Sequence, residues 1–490
     1  MSAEPSTAAA IEPGGRTADD ARPQTLRTAG VALAGLSAVF LFEMLDNSVL
    51  NVALPTIGRE LNASTIGLQW VTGSYSVVFG GLMIALSALA DRVGRRRMML
   101  LGLGLLALAS LATAFVTTVE QLIAARTVMG VAAAMTTPGS LALAFRLFDQ
   151  EQLRVRAMTM ISIVGLVGLA IGPTAGGLVL AFAPWQALLL VNVPIAVIAI
   201  GCIRRGIPAD RPEDLHAVPV DVIGAVTGTL TIVFALTAPA LLLEEGGGSW
   251  LPWTAAVAVG TAFVLRQRLA AHPLLDLALV ARPLVSSGLA FKAAAGLAVA
   301  GLGYLVTLQL QLDWGWTPAQ TALGMLPQVI VLIAGGAAIS PLVRRIGLQH
   351  AAWLSAAVVV LGLGLYAVLG RTGYPAVAAS LVLVAAGMRI IGVVAGTNVM
   401  RGLPADRTTI GAALVDTASE LTTAIGIALS GTVIATVFTG TITATDWTAA
   451  QTDQFRTAVA IAAATLTLLA ALLVAFGILR ARGGRTTDHS

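Results

Sequence analysis

Four acidic residues stand inside stretches of the sequence that are otherwise apolar: Glu43 and Asp46 in one stretch, and Asp416 and Glu420 in another. Keeping a charged side chain at the centre of a lipid bilayer costs about 2.5–3.5 kcal/mol on insertion scales. A carboxyl group that faces a cavity and alternates between its protonated and ionised forms avoids most of this cost. We therefore predict that these acids are proton-exchange sites.

Asp416 and Glu420 are four residues apart, so a helix would place both on one face, one turn apart. Two carboxylates at this spacing repel each other, and we expect at least one of them to exchange a proton at ordinary pH. An alternative for Asp416 is that it caps the helix or faces the cytoplasm. Glu420 lies deeper in the apolar stretch, where that alternative is weaker.

Three basic residues also lie inside apolar stretches. Arg126 has two open roles, as a functional intramembrane charge or as a side chain that extends to the membrane interface. Lys292, the only lysine, and Arg389 either neutralise a buried acid or belong to a cavity that accepts anionic or zwitterionic cargo. For Glu43, pairing with Lys292 or Arg389 is an equal alternative to proton exchange.

The bulk composition identifies the elements that carry these residues. The chain has 490 residues, of which 57% are hydrophobic and 11% are charged, and its mean hydropathy is +0.87. These values predict an all-α polytopic membrane protein and exclude three soluble domains. A single cysteine, Cys202, and four scattered histidines predict no disulfide, no metal site and no cofactor. The net charge of +4 is spread through short loops, which excludes a nucleic-acid partner.

Stretches of about 20 apolar residues are long enough to cross the hydrocarbon core of a membrane as helices. We predict fourteen such spans, at 29–50, 66–88, 98–117, 121–145, 157–182, 185–203, 221–243, 251–268, 285–311, 318–339, 350–369, 375–398, 409–437 and 457–479. An even number of spans places both termini on the same side of the membrane.

The arginine positions support this count, because short cytoplasmic loops collect positive charge. Arginines cluster in both tails and in the loops that follow even-numbered spans, whereas the opposite loops hold only Arg59, Arg371 and Arg456. Both termini are therefore predicted to be cytoplasmic. Residues 1–28 are predicted to form a disordered cytoplasmic tail without a signal peptide.

The spans are predicted to divide into two six-helix bundles, at 29–203 and 271–479, joined by a linker with two inserted helices at 204–270. Residues 480–490 form a second cytoplasmic tail. Similar basic loops, "SALADRVG" and "SPLVRRIG", follow the second and tenth spans, as expected for two parallel repeats. The alternative is that short basic turns look alike without any repeat.

The loop "ALADRVGRRR", residues 88–97, joins the second and third spans. Asp91, Gly94, Arg95 and Arg96 are predicted to form a conformational gate, an ion-pair latch that must break before the helices can rock. The alternative is an anchor that only sets the orientation in the membrane. An anchor explains the arginines but not an acid at the membrane edge.

Four motifs in this order resemble the major facilitator superfamily. The loop at 88–97 resembles the signature loop of that superfamily. "LDNSVLNVALP" at 45–55, "GLVGLAIGPTAGG" at 165–177 and "VNVP" at 191–194 resemble motifs of its fourteen-helix drug:proton antiporter branch. The resemblance spans the whole chain and is closest to exporters of quaternary ammonium and other lipophilic cations.

The resemblance implies roles for individual residues. Asp46 matches the first-helix motif, whereas Glu43 does not. Arg126 resembles a fourth-helix arginine associated with proton coupling. Asp416 and Glu420 resemble an acidic pair of the exporters of lipophilic cations.

Small residues recur along one face of the fifth span, and they allow a neighbouring helix to approach closely. A proline within this span removes a backbone donor and bends the helix. With the resemblance, these features predict a pivot between the two halves, although ordinary helix packing is the alternative. The predicted pivot residues are Gly168, Gly172, Pro173, Gly176 and Gly177.

Placement within the spans gives a candidate wall for the cargo cavity, although aromatic residues near helix ends often form interfacial belts instead. Gly73 stands where the resembled exporters often carry an acid, so efficient export of divalent cations is not expected. The candidate wall residues are Trp70, Tyr75, Phe79, Tyr304 and Gln309.

The sequence therefore predicts a monomeric antiporter of the cell membrane that exchanges protons for amphiphilic, cationic drugs by alternating access. It is not predicted to be an enzyme. A second interpretation is a dedicated exporter of an antibiotic that the host makes, because the preference for arginine over lysine and the Ala, Gly and Val content indicate a GC-rich genome. A transporter-like receptor is the third interpretation, and the intramembrane acids disfavour it because signalling needs no proton carrier.

Overall fold

The computed structural model describes residues 25–483, apart from 149, 212–214, 216–220, 245–249, 272, 274, 336–340, 342–344, 404–407 and 445. The described residues form helices and connecting turns, with no β-strand among them. This all-helical architecture agrees with the predicted fold class. Residues 1–24 of the predicted disordered tail, and most of the second cytoplasmic tail, lie outside the described residues.

The first half of the chain forms seven helices: α1 (Gly30–Glu60), α2 (Thr65–Val93), α3 (Arg95–Ala112), α4 (Val119–Arg146), α5 (Glu151–Val179), α6 (Gln186–Leu190) and α7 (Asn192–Gly206). Hydroxyl groups define two of the helix starts. The side chain of Ser64 accepts a hydrogen bond from the Gly67 amide at α2, and Thr118 accepts one from the Gln121 amide at α4.

An inserted pair of helices follows, α8 (Val222–Glu244) and α9 (Leu251–Leu269). Asp221 holds the pair together, because its carboxylate accepts hydrogen bonds from the Gly224 amide at 3.0 Å, Arg266 at 2.9 Å and Gln267 at 3.2 Å.

The second half consists of α10 (Leu277–Val280), α11 (Pro283–Leu308), α12 (Pro318–Gly324), α13 (Leu326–Ala334), α14 (Leu348–Leu369), α15 (Tyr374–Gly402), α16 (Thr408–Val437) and α17 (Ala449–Gly483). A π-helical turn, Gln309–Asp313, extends α11. Met325 separates α12 from α13, where Pro327 cannot continue the hydrogen-bond ladder of α12.

Every predicted span overlaps described helical residues, and residues 336–339, the end of the span predicted at 318–339, lie outside the described residues. Among the residues that the structure describes, eleven helices are long and apolar enough to cross a membrane. The remaining predicted spans correspond to α8, to α9 and to the broken pair α12 and α13, so the count of fourteen stays a prediction. Several helices are longer than predicted, as at Ala449–Gly483 against 457–479, because a helix continues through polar turns that hydropathy does not register.

Helix packing divides the molecule into two bundles. In the first, α1 packs on α5 and α7, α2 packs on α4, and α3 packs on α4 and α7. In the second, α11 lies at the centre against α15, α16 and α17, and α14 packs on α15 and α17. The bundles meet where α2 contacts α16 and where α5 contacts α12 and α13, and α8 touches both α2 and α16.

Candidate functional site

A cavity lies between the two bundles. Its empty space is about 1300 Å³, counting the part that is open to solvent. Residues of α1, α2, α4 and α5 line it from the first bundle, and residues of α11, α13, α15 and α16 line it from the second. A cavity of this size between bundles is a common place for a small-molecule site.

One wall of the cavity carries charge. Glu43 of α1 and Asp416 and Glu420 of α16 line it together with Lys292 of α11. All four side chains interact electrostatically, since Glu43 is acted on by each of the other three. The structure therefore brings together Glu43 and Glu420, which are 377 positions apart in the sequence.

The two glutamates are poorly satisfied by the protein itself. Glu43 is 4% exposed and Glu420 is 8% exposed, and one carboxylate oxygen of each is buried without a hydrogen-bond partner. Close approach of α2 positions Glu420, because a Cβ added at Gly80 would lie 3.1 Å from the Cβ of Glu420. Buried, unpartnered carboxylate oxygens are costly, so a proton or a cation bound at these oxygens would lower the free energy of the site.

Apolar side chains also line the cavity. They belong to α1, α5, α13 and α15 and to Met325 at the break between α12 and α13. These residues are Phe40, Met44, Leu169, Pro173, Met325, Leu332 and Met388. Methionine side chains adapt their shape readily, so such a lining accommodates varied apolar groups.

A buried ion pair lies next to the charged wall. The guanidinium of Arg126 donates to one carboxylate oxygen of Asp46, and the Asn192 side-chain amide donates to the other oxygen at 2.9 Å. Arg126 also donates from Nε to the carbonyl oxygen of Val71 at 3.2 Å. Asp46 is 0% exposed, so its charge is compensated by these partners and not by water.

An aromatic ring covers this ion pair. The Arg126 guanidinium carbon lies 4.5 Å from the ring centroid of Tyr75, and the Tyr75 ring packs against Phe79 with a centroid distance of 5.7 Å. Gly130 allows α2 and α4 to approach here, because a Cβ at this position would lie 2.7 Å from the Tyr75 carbonyl oxygen. The Arg126 side chain lines the cavity, so the ion pair lies directly beside it.

One end of the cavity is closed by contacts between the bundles. The side-chain amide of Gln311, in the π-helical turn, donates a hydrogen bond to the Val52 carbonyl oxygen at 2.8 Å. A Cβ at Gly177 would lie 2.4 Å from the carbonyl oxygen of Pro318, so α5 and α12 are also in tight contact at this end.

The loop predicted as a gate forms its ion pair within the first bundle. Arg95 Nε donates to Asp91 at 2.5 Å, and Gly94 has a φ of +114°, which favours glycine at the bend. Asp210, after α7, accepts hydrogen bonds from the Arg96 amide at 3.1 Å and from the Arg97 amide at 3.0 Å. Among the described hydrogen bonds, none joins this loop to the second bundle.

The glycine face of α5 packs mainly against α1 of the same bundle. Added Cβ atoms would meet Leu41 at Gly168, Ser48 at Gly172 and Val49 at Gly176. The predicted close helix approach is therefore present, but three of these glycines face the same half of the molecule. Gly177, against α12, is the member of the set in contact with the other half.

The five residues predicted for the cavity wall lie elsewhere, because placement in a span does not determine which way a side chain points. Tyr75 and Phe79 are buried beside Arg126, and Tyr304 is fully buried in the second bundle. Gln309 donates to the Gly370 carbonyl oxygen at 3.0 Å and accepts from the Tyr366 hydroxyl at 2.6 Å. Trp70 is not among the cavity-lining residues.

Two residues of the site were not predicted. Asn192 is part of the "VNVP" motif, and a polar side chain inside an apolar span was a signal that could have identified it. Asp210 gave no such signal, because it stands among polar loop residues. Arg389, considered as a partner for Glu43, does not line the cavity, whereas Lys292 does.

Comparison with known proteins gives the context of this site. The sequence pattern of the Major Facilitator Superfamily matches residues 36–427. The chain is 32% identical to the multidrug efflux pump LfrA of Mycolicibacterium smegmatis, over 85% of this chain and 84% of that protein. It is 30% identical to the methyl viologen resistance protein SmvA of Salmonella typhimurium, over 82% of this chain and 81% of that protein.

Proteins linked to antibiotic production are similar as well. The chain is 32% identical to the cephamycin export protein CmcT of Amycolatopsis lactamdurans, over 66% of this chain and 68% of that protein. Among solved structures, the POT family transporter PepTSo superposes with a TM-score of 0.67 at 14% identity, over 96% of this chain and 99% of that chain. At this identity the likeness supports the fold alone.

Proposed function

This chain belongs to the major facilitator superfamily, and from that premise we propose that it is a proton-coupled antiporter that exports amphiphilic cations by alternating access. The observation that carries the proposal is the cavity between the bundles, which Glu43, Asp416 and Glu420 line together with apolar side chains. An amphiphilic cation has one part for each kind of side chain. The similarity to multidrug efflux pumps supports the same class of cargo.

The proposed topology has fourteen spans, both termini in the cytoplasm, and α8 and α9 inserted between the bundles of 29–203 and 271–479. In this orientation the closed end, with Gln311 and Val52, faces outward. The hydrogen bond between these residues supports a cavity that is accessible from the cytoplasmic side. A monomer is sufficient for this function, because the residues that line the cavity from both bundles belong to one chain.

In the proposed cycle, a cation that enters the cavity favours the ionised form of the acids, so a proton leaves to the cytoplasm. Rocking of the bundles then opens the outward end, where an external proton neutralises an acid and the cation is released. Asp46 and Arg126 link the two events, because the Arg126 side chain lies between the buried Asp46 and the cavity. Each elementary charge moved down a membrane potential of 100 mV contributes about 2.3 kcal/mol.

The structural roles predicted from the sequence enter this proposal with their observed contacts. Asp91, Gly94, Arg95 and Arg96 form a gate at the cytoplasmic end, held by Asp210 while the cavity faces inward. The α5 glycines and Pro173 keep α1 and α5 together as a rigid pair, and Gly177 is the point at which this pair moves against α12.

A second candidate is a dedicated exporter of an antibiotic made by the host. The similarity to a cephamycin export protein and to a methylenomycin A resistance protein of Streptomyces coelicolor favours it. The chemistry of export would be the same, and the cargo range would be narrow. Genes for antibiotic synthesis beside this gene would support this candidate, whereas a lone regulator gene would support multidrug export.

The test uses purified protein in proteoliposomes that contain a pH-sensitive dye. Cations, zwitterions and anions of similar apolar size are added in turn. We expect a pH change inside the vesicles only for cargo that is exchanged for protons, and the largest change for cations. A pH signal that is absent for all three classes, from protein that still binds cations, overturns proton-coupled antiport.

A further inference from the structure

We infer that Lys292 is a tethered counter-cation that neutralises one unit of the cavity's negative charge and thereby weakens the binding of divalent cations relative to monovalent ones. The inference rests on the proposed function and deepens it, since it assigns the residue that sets cargo charge. The observation behind it is a lysine that lines the same cavity as three acids.

The surroundings of Lys292 are strongly acidic. Its ammonium group interacts electrostatically with Glu43, Asp416 and Glu420, which all line the same cavity. Among the residues that the structure describes, none forms a hydrogen bond or a direct ion pair with it. The ammonium is therefore free to move toward any of the acids on its flexible stem.

The acids are equally available. Glu43 and Glu420 each keep a buried carboxylate oxygen without a hydrogen-bond partner, although both side chains are more than nine-tenths buried. The other cation that lines the cavity, Arg126, is already engaged by Asp46. Lys292 is thus the basic cavity-lining residue that does not form an ion pair with one particular acid.

This arrangement favours a counter-cation over a receptor for anionic cargo. An anion that approached Lys292 would also meet three carboxyl groups, and its repulsion from ionised acids would oppose binding. A cationic cargo instead competes with the ammonium for the same acids. Each positive charge on the cargo is also repelled by the ammonium, so a dication is disfavoured more strongly than a monovalent cation.

The test is equilibrium binding of two probes to the purified full-length protein, without a proton gradient. Tetraphenylphosphonium is the monovalent cation, and methyl viologen is the divalent cation. In the Lys292→Gln variant, the ratio of the two dissociation constants should shift toward methyl viologen by about tenfold, or about 1.4 kcal/mol. Lys292→Arg, which keeps the charge, should retain the wild-type ratio.

Two controls make the result decisive. Arg389→Gln removes a membrane-embedded positive charge that does not line the cavity, and it should leave the ratio unchanged. If Lys292→Gln does not fold, Lys292→Met, which keeps the apolar stem, is measured in its place. An unchanged ratio in the neutral variant overturns the inference.

An anionic probe, 2-naphthalenesulfonate, distinguishes the opposite role. Binding by the wild type that is lost in Lys292→Gln would make Lys292 an anion receptor and would also overturn the inference. Because binding is measured without a gradient, the expected shift can be observed even if proteoliposomes show no proton exchange, so the two proposals fail separately.

Discussion

The side-chain amide of Gln311 donates a 2.8 Å hydrogen bond to the Val52 carbonyl oxygen, and this bond joins the two bundles at the closed end of the cavity. Replacing Gln311 with leucine should weaken the closed end, because leucine cannot donate. A hydrogen bond makes a net contribution of about 0.5–1.5 kcal/mol to stability. The fraction of molecules that are open at this end should therefore rise roughly two- to tenfold. The distance between spin labels attached at Glu60→Cys in α1 and Ala450→Cys in α17, in a Cys202→Ser background, measures the separation of the two bundles at this end.

The matched control for this prediction is Gln309→Leu. Gln309 lies two residues earlier in the same π-helical turn, but its hydrogen bonds to Gly370 and Tyr366 stay within the second bundle. This variant should leave the distance between the labels as in the wild type. An equal change in both variants would show that general loosening of the turn, and not the bond to Val52, causes the opening.

Asp46→Asn should abolish proton-driven export while the protein remains folded and inserted. The amide oxygen can still accept from Arg126, but asparagine cannot take up and release a proton. The measurement is the substrate-evoked pH change in proteoliposomes, with Asp276→Asn, an exposed acid outside the cavity, as the control. A wild-type pH signal from Asp46→Asn would remove Asp46 from the coupling mechanism.

Glu420→Gln should reduce the transport of cationic cargo more than that of neutral cargo of the same shape. Glutamine keeps the size of the side chain on the charged wall but removes its negative charge. Initial transport rates of a cation and its neutral isostere give the comparison, and we expect about a tenfold greater loss for the cation. Glu120→Gln, which is exposed at the start of α4, is the control. Equal losses for both cargoes contradict a role for Glu420 in charge recognition.

Gly172→Ala should destabilise the contact between α1 and α5. An added Cβ would collide with Ser48 Oγ, which is itself held by hydrogen bonds of 3.0 Å to the Met44 and Leu45 carbonyl oxygens. Overpacking of this kind costs about 1–3 kcal/mol. The apparent melting temperature in detergent should fall, whereas Gly201→Ala, with nothing within 4 Å of its Cβ, gains the same helix propensity without a clash. Equal melting temperatures would show that the helices adjust at no cost.

The fold could be predicted to a large extent from the sequence, because the apolar stretches carry the dominant signal. The predicted span at 350–369 and the observed Leu348–Leu369 differ by two residues at the start. The break between α12 and α13 was not predicted, although Pro327 marks it. Hydropathy averages over a window and does not register a single interrupted turn.

The candidate site was predicted only as separate residues. Asp46 and Arg126 were both identified as buried charges, but their pairing across 80 positions depends on how α1 and α4 pack, which hydropathy does not determine. The predicted wall residues do not line the cavity between the bundles for the same reason. In helices that are apolar on all sides, the sequence does not indicate which face turns toward a cavity, and Tyr304 is fully buried in the second bundle.

The combination of carboxyl groups and apolar side chains in one cavity has a consequence for chemists who design compounds against cells carrying this protein. A molecule with its ammonium at one end and its apolar part at the other presents a suitable group to each kind of side chain. Moving the ammonium to the middle of a long rigid body forces part of the hydrocarbon onto the carboxyl groups. Analogues redesigned in this way should accumulate inside such cells.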